Sequence, residues 1–209
     1  MNASKFSRFA WFVLVYNLAA IVWGSFVRIS FSGDGCGRNW PLCNGELIPT
    51  NASTHKLIEA SHRFSAEFCG VFVLGMVIWG FAAFPKGHQV RKAVFFAGVF
   101  TVIESLLGME LVMQKWVKYD DSVARAVAMS AHLTNTLLLI ASIALAALCA
   151  RSDAPSIKLK GQGPVLWAIG LGVICLIALG ISGAISALGH TVVPVENVLK
   201  AAMSPGAHY

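Results

Sequence analysis

Five long apolar runs, separated by short polar segments, dominate the sequence. They cover residues 9–27, 64–84, 94–113, 126–150 and 164–188. Each run is long enough to cross a hydrocarbon core as a helix, which takes about 20 residues. Lys5 and Arg8 precede the first run as in a signal peptide, but Trp23, Phe26 and Arg28 close it where a small-residue cleavage site would be expected. The pattern predicts five membrane-spanning helices, including the first.

The composition supports this prediction. Of the 209 residues, 56% are hydrophobic and 12% are charged, and the mean hydropathy is +0.69, outside the usual range of soluble domains. The net charge of +6 comes from Lys and Arg scattered at the ends of apolar runs. This distribution favours membrane lipid as the partner and argues against nucleic acid. We therefore predict an all-α integral membrane protein.

The charges between the runs predict an orientation. One side carries basic residues with Asp153 as their only acidic companion; they are Lys5, Arg8, Lys86, Arg91, Lys92, Arg151, Lys158 and Lys160. The other side mixes Lys and Arg with acidic residues, namely Asp34, Glu46, Asp120, Asp121 and Glu196. The positive-inside rule makes the first side cytoplasmic. We expect a multi-pass protein of the inner (plasma) membrane, with a cytoplasmic N-terminus and residues 32–49 outside.

Residues 32–49, "SGDGCGRNWPLCNGELIP", place two cysteines in this outer loop. In an oxidising compartment, Cys36 and Cys43 are close enough in sequence to form a disulfide, which would act as a structural staple, a loop clamp or a redox pair. A zinc site is less favoured, because no second ligand pair follows at metal-binding spacing. Cys69, Cys149 and Cys175 lie inside apolar runs and are expected to be small core residues.

Ionisable residues also enter the second and fourth runs. Glu59, His62 and Arg63 stand at the outer entrance of the second run, and His132 lies inside the fourth. Counted from predicted helix starts near residues 56 and 126, both histidines are six residues in, so they lie at the same depth. Two facing imidazoles suit axial ligation of a heme iron, although each could instead hydrogen-bond a neighbouring helix.

Arginine side chains near the histidines suit a second role at the same site. Arg28 ends the first run, and Arg63 follows His62 directly. A planar guanidinium group pairs bidentately with a carboxylate, so both are candidates to bind heme propionates.

These residues together resemble a known family. "GSFVRISFSGDGCGRNWPLCNG", followed by "EASHR" and a histidine in the fourth run, is similar to the N-terminal half of the heme A synthases. The resemblance implies an eight-helix pseudo-repeat of two four-helix halves, and oxidation of the C8 methyl of heme O to the formyl of heme A. It implies a heme b cofactor in the second half and heme O as the substrate of the first.

The resemblance also implies roles for single residues. His62 and His132 would be the iron ligands of the first half, and Glu59 the carboxylate that serves the chemistry. Cys36 and Cys43 would form the disulfide of a loop that covers the heme pocket. Candidate partners are heme O synthase, cytochrome oxidase assembly factors and a second copy of the chain.

The sequence departs from the family pattern in the third run and in length. Glu104 stands where many relatives have an uncharged amide, and Glu110 follows six residues later on another helix face. "GISGAISALGHTVVP", residues 180–194, resembles the start of a second half, so we expect a four-helix heme-binding half at 1–155 and a linker with the first helix of an incomplete half at 156–209. His190 and His208 are expected on the outer surface, and His55 and His88 in exposed loops.

Two functions fit these residues. The first is a heme A synthase. It is either an oligomer of short chains or a longer protein of which this chain is only a part. The second is a bis-histidine module that binds, transfers or passes electrons through heme without oxidising its methyl group.

Overall fold

The computed structural model describes residues 3–50, 52–117, 120, 122–151, 161 and 163–192, the last range without side chains at 184 and 187–192. Within these ranges the chain forms five helices: α1 (Ala3–Ile29), α2 (Thr54–Ala83), α3 (Gln89–Met113), α4 (Val123–Cys149) and α5 (Pro164–Val192). All five are long and apolar enough to cross a membrane. The predicted all-α membrane fold is confirmed.

Some sequence predictions fall outside this description. Asp121, Asp153, Lys158, Lys160, Glu196 and His208 lie outside the described residues, and of His190 only the helical backbone is described.

The second helix begins ten residues before the apolar run that predicted it. Ser53 caps α2, because its side chain accepts a hydrogen bond from the amide of Lys56. Residues 54–63, most of which are polar, are therefore helical although they precede the apolar run. His62 is consequently the ninth residue of α2, and His132 is the tenth residue of α4.

The first four helices form a ring. α1 packs against α2 and α4, and α3 packs against the same two helices, so α2 and α4 face each other across the bundle. Helix α5 packs against α4, and the most apolar part of α5 is not buried inside the structure. Many large apolar side chains point outwards on every helix, as expected where lipid is the solvent.

The bundle has an apolar end and a polar end. Buried apolar residues cluster where α1 begins and α4 ends; they include Phe6, Ala10, Val13, Met76, Val94, Ile143 and Ala147. Small residues bring the helices close there, and the Ser7 hydroxyl donates a 2.8 Å hydrogen bond to the Ala147 carbonyl. The opposite end carries residues 30–50, 52–53, 114–117, 120 and 122, and we call it the loop end. The polar residues singled out from the sequence lie toward the loop end.

Candidate functional site

The loop of residues 30–50 is cross-linked and lies against the start of α2. The Sγ atoms of Cys36 and Cys43 are 2.00 Å apart and form a disulfide bond. The amide of Asn44 donates to the carbonyl of Cys36 over 2.9 Å and closes the turn. A Cβ atom at Gly35 would lie 2.8 Å from Cα of Lys56, so glycine is what allows the loop to approach the helix this closely.

Glu59 and Arg63 attach this loop to α2. The two side chains form an ion pair with 2.6 Å between Arg63 Nη2 and Glu59 Oε1, and both are buried, at 3% and 7% exposure. The other oxygen of Glu59 accepts a 2.8 Å hydrogen bond from the amide of Cys36. Arg63 donates to the carbonyl oxygens of Leu42 (2.8 Å) and Gly37 (2.9 Å). The pair therefore fixes both ends of the disulfide-bonded turn.

Arg125 holds the other loop at this end in the same way. Its guanidinium donates to the carbonyl oxygens of Asp120 (2.5 Å) and Val117 (3.2 Å), and only 2% of the residue is exposed. Hydrogen bonds from the Ser122 hydroxyl and amide hold the pKa of the neighbouring Asp120 carboxyl below its usual value. The sequence prediction missed Arg125; the signal was an arginine three residues after a serine that could cap the helix.

His62 lies against the backbone of α1. A Cβ atom at Gly24 would lie 2.8 Å from His62 Cε1 and 3.1 Å from Nε2, closer than real side chains pack. His62 Nδ1 is buried and has no hydrogen-bond partner among the described residues. His62 Nδ1 therefore does not make the hydrogen bond to a neighbouring helix that the alternative interpretation of this histidine expects.

His132 has a similar position on α4. A Cβ atom at Gly108 of α3 would lie 3.9 Å from His132 Cε1, so each imidazole faces a glycine of the helix before it in the chain. His132 Nδ1 is also buried and makes no hydrogen bond within the described part of the chain, although Glu104 Oε1 is 3.5 Å away. The 3.5 Å between His132 Nδ1 and Glu104 Oε1 is within the distance of an ion pair, but the geometry is not that of a hydrogen bond.

His62 and His132 lie on α2 and α4, which face each other across the ring. No group of three or more His, Cys, Asp or Glu side chains suited to a metal ion occurs among the described residues. A heme iron needs fewer ligands from the protein, because the porphyrin supplies four and two axial histidines complete the coordination. Two half-buried imidazoles whose Nδ1 atoms are buried and make no hydrogen bond with the described residues, on helices that face each other, fit this group.

The two arginines proposed for propionates have different surroundings. The Arg63 guanidinium is already engaged by Glu59 and two carbonyl oxygens. Arg28 is half-buried, and its guanidinium makes no hydrogen bond or ion pair with the described residues, although its carbonyl oxygen accepts a hydrogen bond from the Phe31 amide. It stands four residues beyond Gly24, on the same face of α1 that touches His62.

The remaining cysteines and histidines were also given expected positions. Cys69 and Cys149 are half-buried and Cys175 is exposed, so the prediction of core residues was wrong for Cys175, because the outer face of α5 accepts an apolar thiol. His88 was expected in an exposed loop, yet it is half-buried and caps α3 by accepting a hydrogen bond from the Val90 amide. His55 is exposed, as expected, and hydrogen-bonds Ser32 over 3.0 Å.

The fold is that of a helical membrane protein. One histidine lies on each of two helices that face each other across the bundle. The family model for the cytochrome oxidase assembly protein COX15-CtaA matches residues 7–204, and the chain belongs to this family.

Relatives carry two different names. A "Protoheme IX farnesyltransferase" of Thermus thermophilus is 41% identical over 209 residues, which are 99% of this chain and 34% of that protein. A "Heme A synthase" of an Exiguobacterium species is 37% identical over 57% of this chain and 39% of its own length. A "Heme A synthase" of Exiguobacterium sibiricum is 34% identical over 66% of this chain and 44% of its own length. The chain thus spans less than half of these relatives.

Proposed function

We propose that the chain binds heme O between His62 and His132 and belongs to a heme A synthase-type oxidoreductase. This enzyme converts the C8 methyl of heme O to the formyl of heme A for cytochrome oxidase assembly. The observation that carries the proposal is the pair of half-buried imidazoles, each with a buried Nδ1 that makes no hydrogen bond among the described residues, on helices that face each other. Family membership and the heme A synthase relatives support it.

Bound heme supplies the iron for one-electron and oxygen chemistry, while the chain supplies binding and orientation. His62 and His132 present imidazole nitrogens to the iron, and Gly24 leaves room for the His62 ring. Arg28 is the better placed cation for a propionate, because Arg63 already holds Glu59 and the loop. The disulfide-bonded loop covers the site and limits the access of water.

Glu59 keeps its proposed part in the chemistry, but its contacts add a second role. One oxygen is bound by Arg63 and the other by the Cys36 amide, so the carboxylate anchors the loop as well. Because both oxygens are already engaged, the carboxylate can accept a proton from a substrate only if one of these contacts is broken.

The relatives support proposals about partners. The Thermus protein bears the name of a farnesyltransferase, and this chain matches only a third of it. Because a protein with this name contains a segment that is 41% identical to this chain, we propose heme O synthase as a partner that supplies heme O. Cytochrome oxidase assembly factors and further copies of the chain are the other proposed partners. The resemblance to the heme A synthases further suggests a heme b cofactor in a second four-helix half.

The proposed location follows from the charges and helices. The five helices fit a multi-pass protein of the inner (plasma) membrane. The positive-inside rule places the N-terminus in the cytoplasm and the disulfide-bonded loop outside.

The contacts of Glu59 favour a second candidate function. With its carboxylate bound on both oxygens, the site is complete for binding heme without a free base for oxidation. In that case the chain is a bis-histidine module that holds, transfers or passes electrons through heme. The two functions differ in the product that they leave in the membrane.

Heme extraction from membranes distinguishes these functions. The chain is produced in cells that make heme O and lack their own heme A synthase, and extracted hemes are identified by mass. Oxidation predicts heme with a hydroxymethyl or formyl group, absent when His62 and His132 are both alanine. Heme O that is bound but chemically unchanged would favour the second function.

Gly24→Ala is expected to disturb heme binding without unfolding the protein. The new methyl group would lie 2.8 Å from the His62 ring, so the imidazole must rotate and its alignment with the iron is lost. We expect a smaller low-spin fraction in the absorption spectrum of the bound heme. Gly70→Ala in α2 is the matched control, since a Cβ there meets nothing within 4 Å and alanine favours the helix by up to about 1 kcal/mol. Equal spectra for both variants would contradict the close contact.

A further inference from the structure

Glu104 is a carboxyl group within the membrane-spanning part of α3, and the functions described so far do not use it. It is the sixteenth residue of the 25-residue helix. Ionisable side chains inside a membrane are costly and usually face the bundle interior with polar partners. Glu104 follows this rule, because its side chain is 21% exposed and contacts polar side chains of α4. The cost of placing this carboxyl group in the membrane indicates that Glu104 has a function.

The partners of Glu104 come from a single face of α4. Its Oε2 accepts a 2.6 Å hydrogen bond from Asn135 Nδ2, and its Oε1 contacts the hydroxyl of Thr136. Asn135 Nδ2 also donates to the carbonyl oxygen of Phe100 over 2.9 Å, which fixes the orientation of the amide. Asn135 and Thr136 follow His132 by three and four residues, so they share its side of the helix. The carboxyl group is thus held beside His132.

We propose that Glu104 is a positioning residue for His132. Its Oε1 lies 3.5 Å from the buried Nδ1, within reach of a hydrogen bond once the imidazole turns. A small rotation of the ring lets Nδ1–H donate to Glu104, which leaves the lone pair of Nε2 for the heme iron. Carboxylates that accept from the second nitrogen of a ligand histidine fix its tautomer and strengthen it as a ligand. This inference rests on heme as the proposed ligand.

The two histidines would then differ as ligands. His62 Nδ1 has no hydrogen-bond partner among the described residues, and the ring is held by contact with Gly24. His132 would be held by a hydrogen bond to a carboxylate and would donate more electron density. A more strongly donating ligand stabilises the oxidised iron and lowers the reduction potential.

Glu104→Gln changes the partner and keeps the size. If the new amide group takes the place of Oε2, it faces the NH₂ group of Asn135, which cannot turn without losing its bond to Phe100. If it takes the place of Oε1, it offers a donor to His132 Nδ1 and forces the proton onto Nε2, the nitrogen needed by iron. Both arrangements weaken His132 as a ligand, and we expect about a 10- to 100-fold loss of heme affinity.

The first measurement needs no heme. Nitrogen NMR of histidine-labelled protein in detergent reports the tautomer of His132, with its signal assigned by its loss in His132→Ala. The wild type should carry the proton on Nδ1, and Glu104→Gln should increase the share of the form with the proton on Nε2. Glu110→Gln is the control, since Glu110 lies six residues along α3 and bonds Gln114. Glu104→Asp, which keeps the charge, serves if the glutamine variant folds poorly, and should retain part of the Nδ1–H signal.

The second measurement is the midpoint potential of bound heme. It should be more positive in Glu104→Gln than in the wild type and unchanged in Glu110→Gln. The same tautomer, heme affinity and potential in Glu104→Gln and the wild type would overturn the role of Glu104 while leaving heme binding intact. A wild type that binds no heme but keeps the Glu104-dependent tautomer would overturn the proposed function and retain the contact between Glu104 and His132.

Discussion

The variant with both His62 and His132 replaced by alanine is expected to lose low-spin heme almost completely. The two imidazoles are the axial ligands in the proposed site, and removal of both leaves the iron without a protein ligand from α2 or α4. Apolar contacts with the porphyrin cannot replace them, because they act on the ring and not on the metal. The Soret band and the heme content of purified protein measure the loss.

Single variants and a distant histidine sharpen this test. His62→Ala and His132→Ala should each leave one ligand and give high-spin heme with reduced content. His88→Asn is the control, because His88 lies at the far end of the bundle and asparagine can also cap α3. An unchanged Soret band and heme content in the double variant would show that the ligand assignment is wrong.

Glu59→Gln is expected to affect both stability and the conversion of heme O. Glutamine keeps the shape and an acceptor for the Cys36 amide, but it leaves Arg63 buried without its counter-charge. Loss of one partner of a buried ion pair costs about 3–5 kcal/mol. Loss of a general acid or base lowers the rate by about 10²- to 10⁴-fold. Denaturant unfolding in detergent and heme mass analysis measure the two effects separately.

A double variant separates the anchor from the chemistry. In Glu59→Gln with Arg63→Met neither partner is charged, so the part of the lost stability that comes from the unpaired charge should return, while the carbonyl oxygens of Leu42 and Gly37 lose their donor. The conversion should stay low if the carboxylate itself serves the reaction. If the conversion returns together with the stability, Glu59 acts only by holding the loop, and the group that moves the proton is another one.

The five helices could be predicted because each has an apolar run of membrane-spanning length. The start of α2 could not be read from hydropathy, since residues 54–63 are polar and become helical through the Ser53 cap and their contacts with the loop. The turn at Cys36 and Cys43 likewise depends on its bonds to Glu59 and Arg63. Hydropathy indicates whether a helix lies in lipid or in water. It does not indicate which loops pack against the polar end of the helix.

The histidine pair could be predicted from equal depth, but its surroundings could not. The contact of Gly24 with His62 and the contact of Glu104 with His132 depend on which helices are neighbours. The sequence assigned Arg63 to a propionate from its position beside His62. In the structure it turns to carbonyl oxygens of the loop, and neither its charge nor its spacing could distinguish these partners.

The exposure of α5 has a consequence for how the protein is made. This helix is strongly apolar, yet it touches the bundle mainly through α4, where Gly180 meets Leu133. In a bilayer, apolarity drives a helix out of water but gives no force that presses it onto its neighbours. Insertion of α5 by the translocation machinery and its docking on α4 are therefore separate events with separate determinants. A polar substitution on its outer face should impair the first event, and a bulky one at Gly180 only the second.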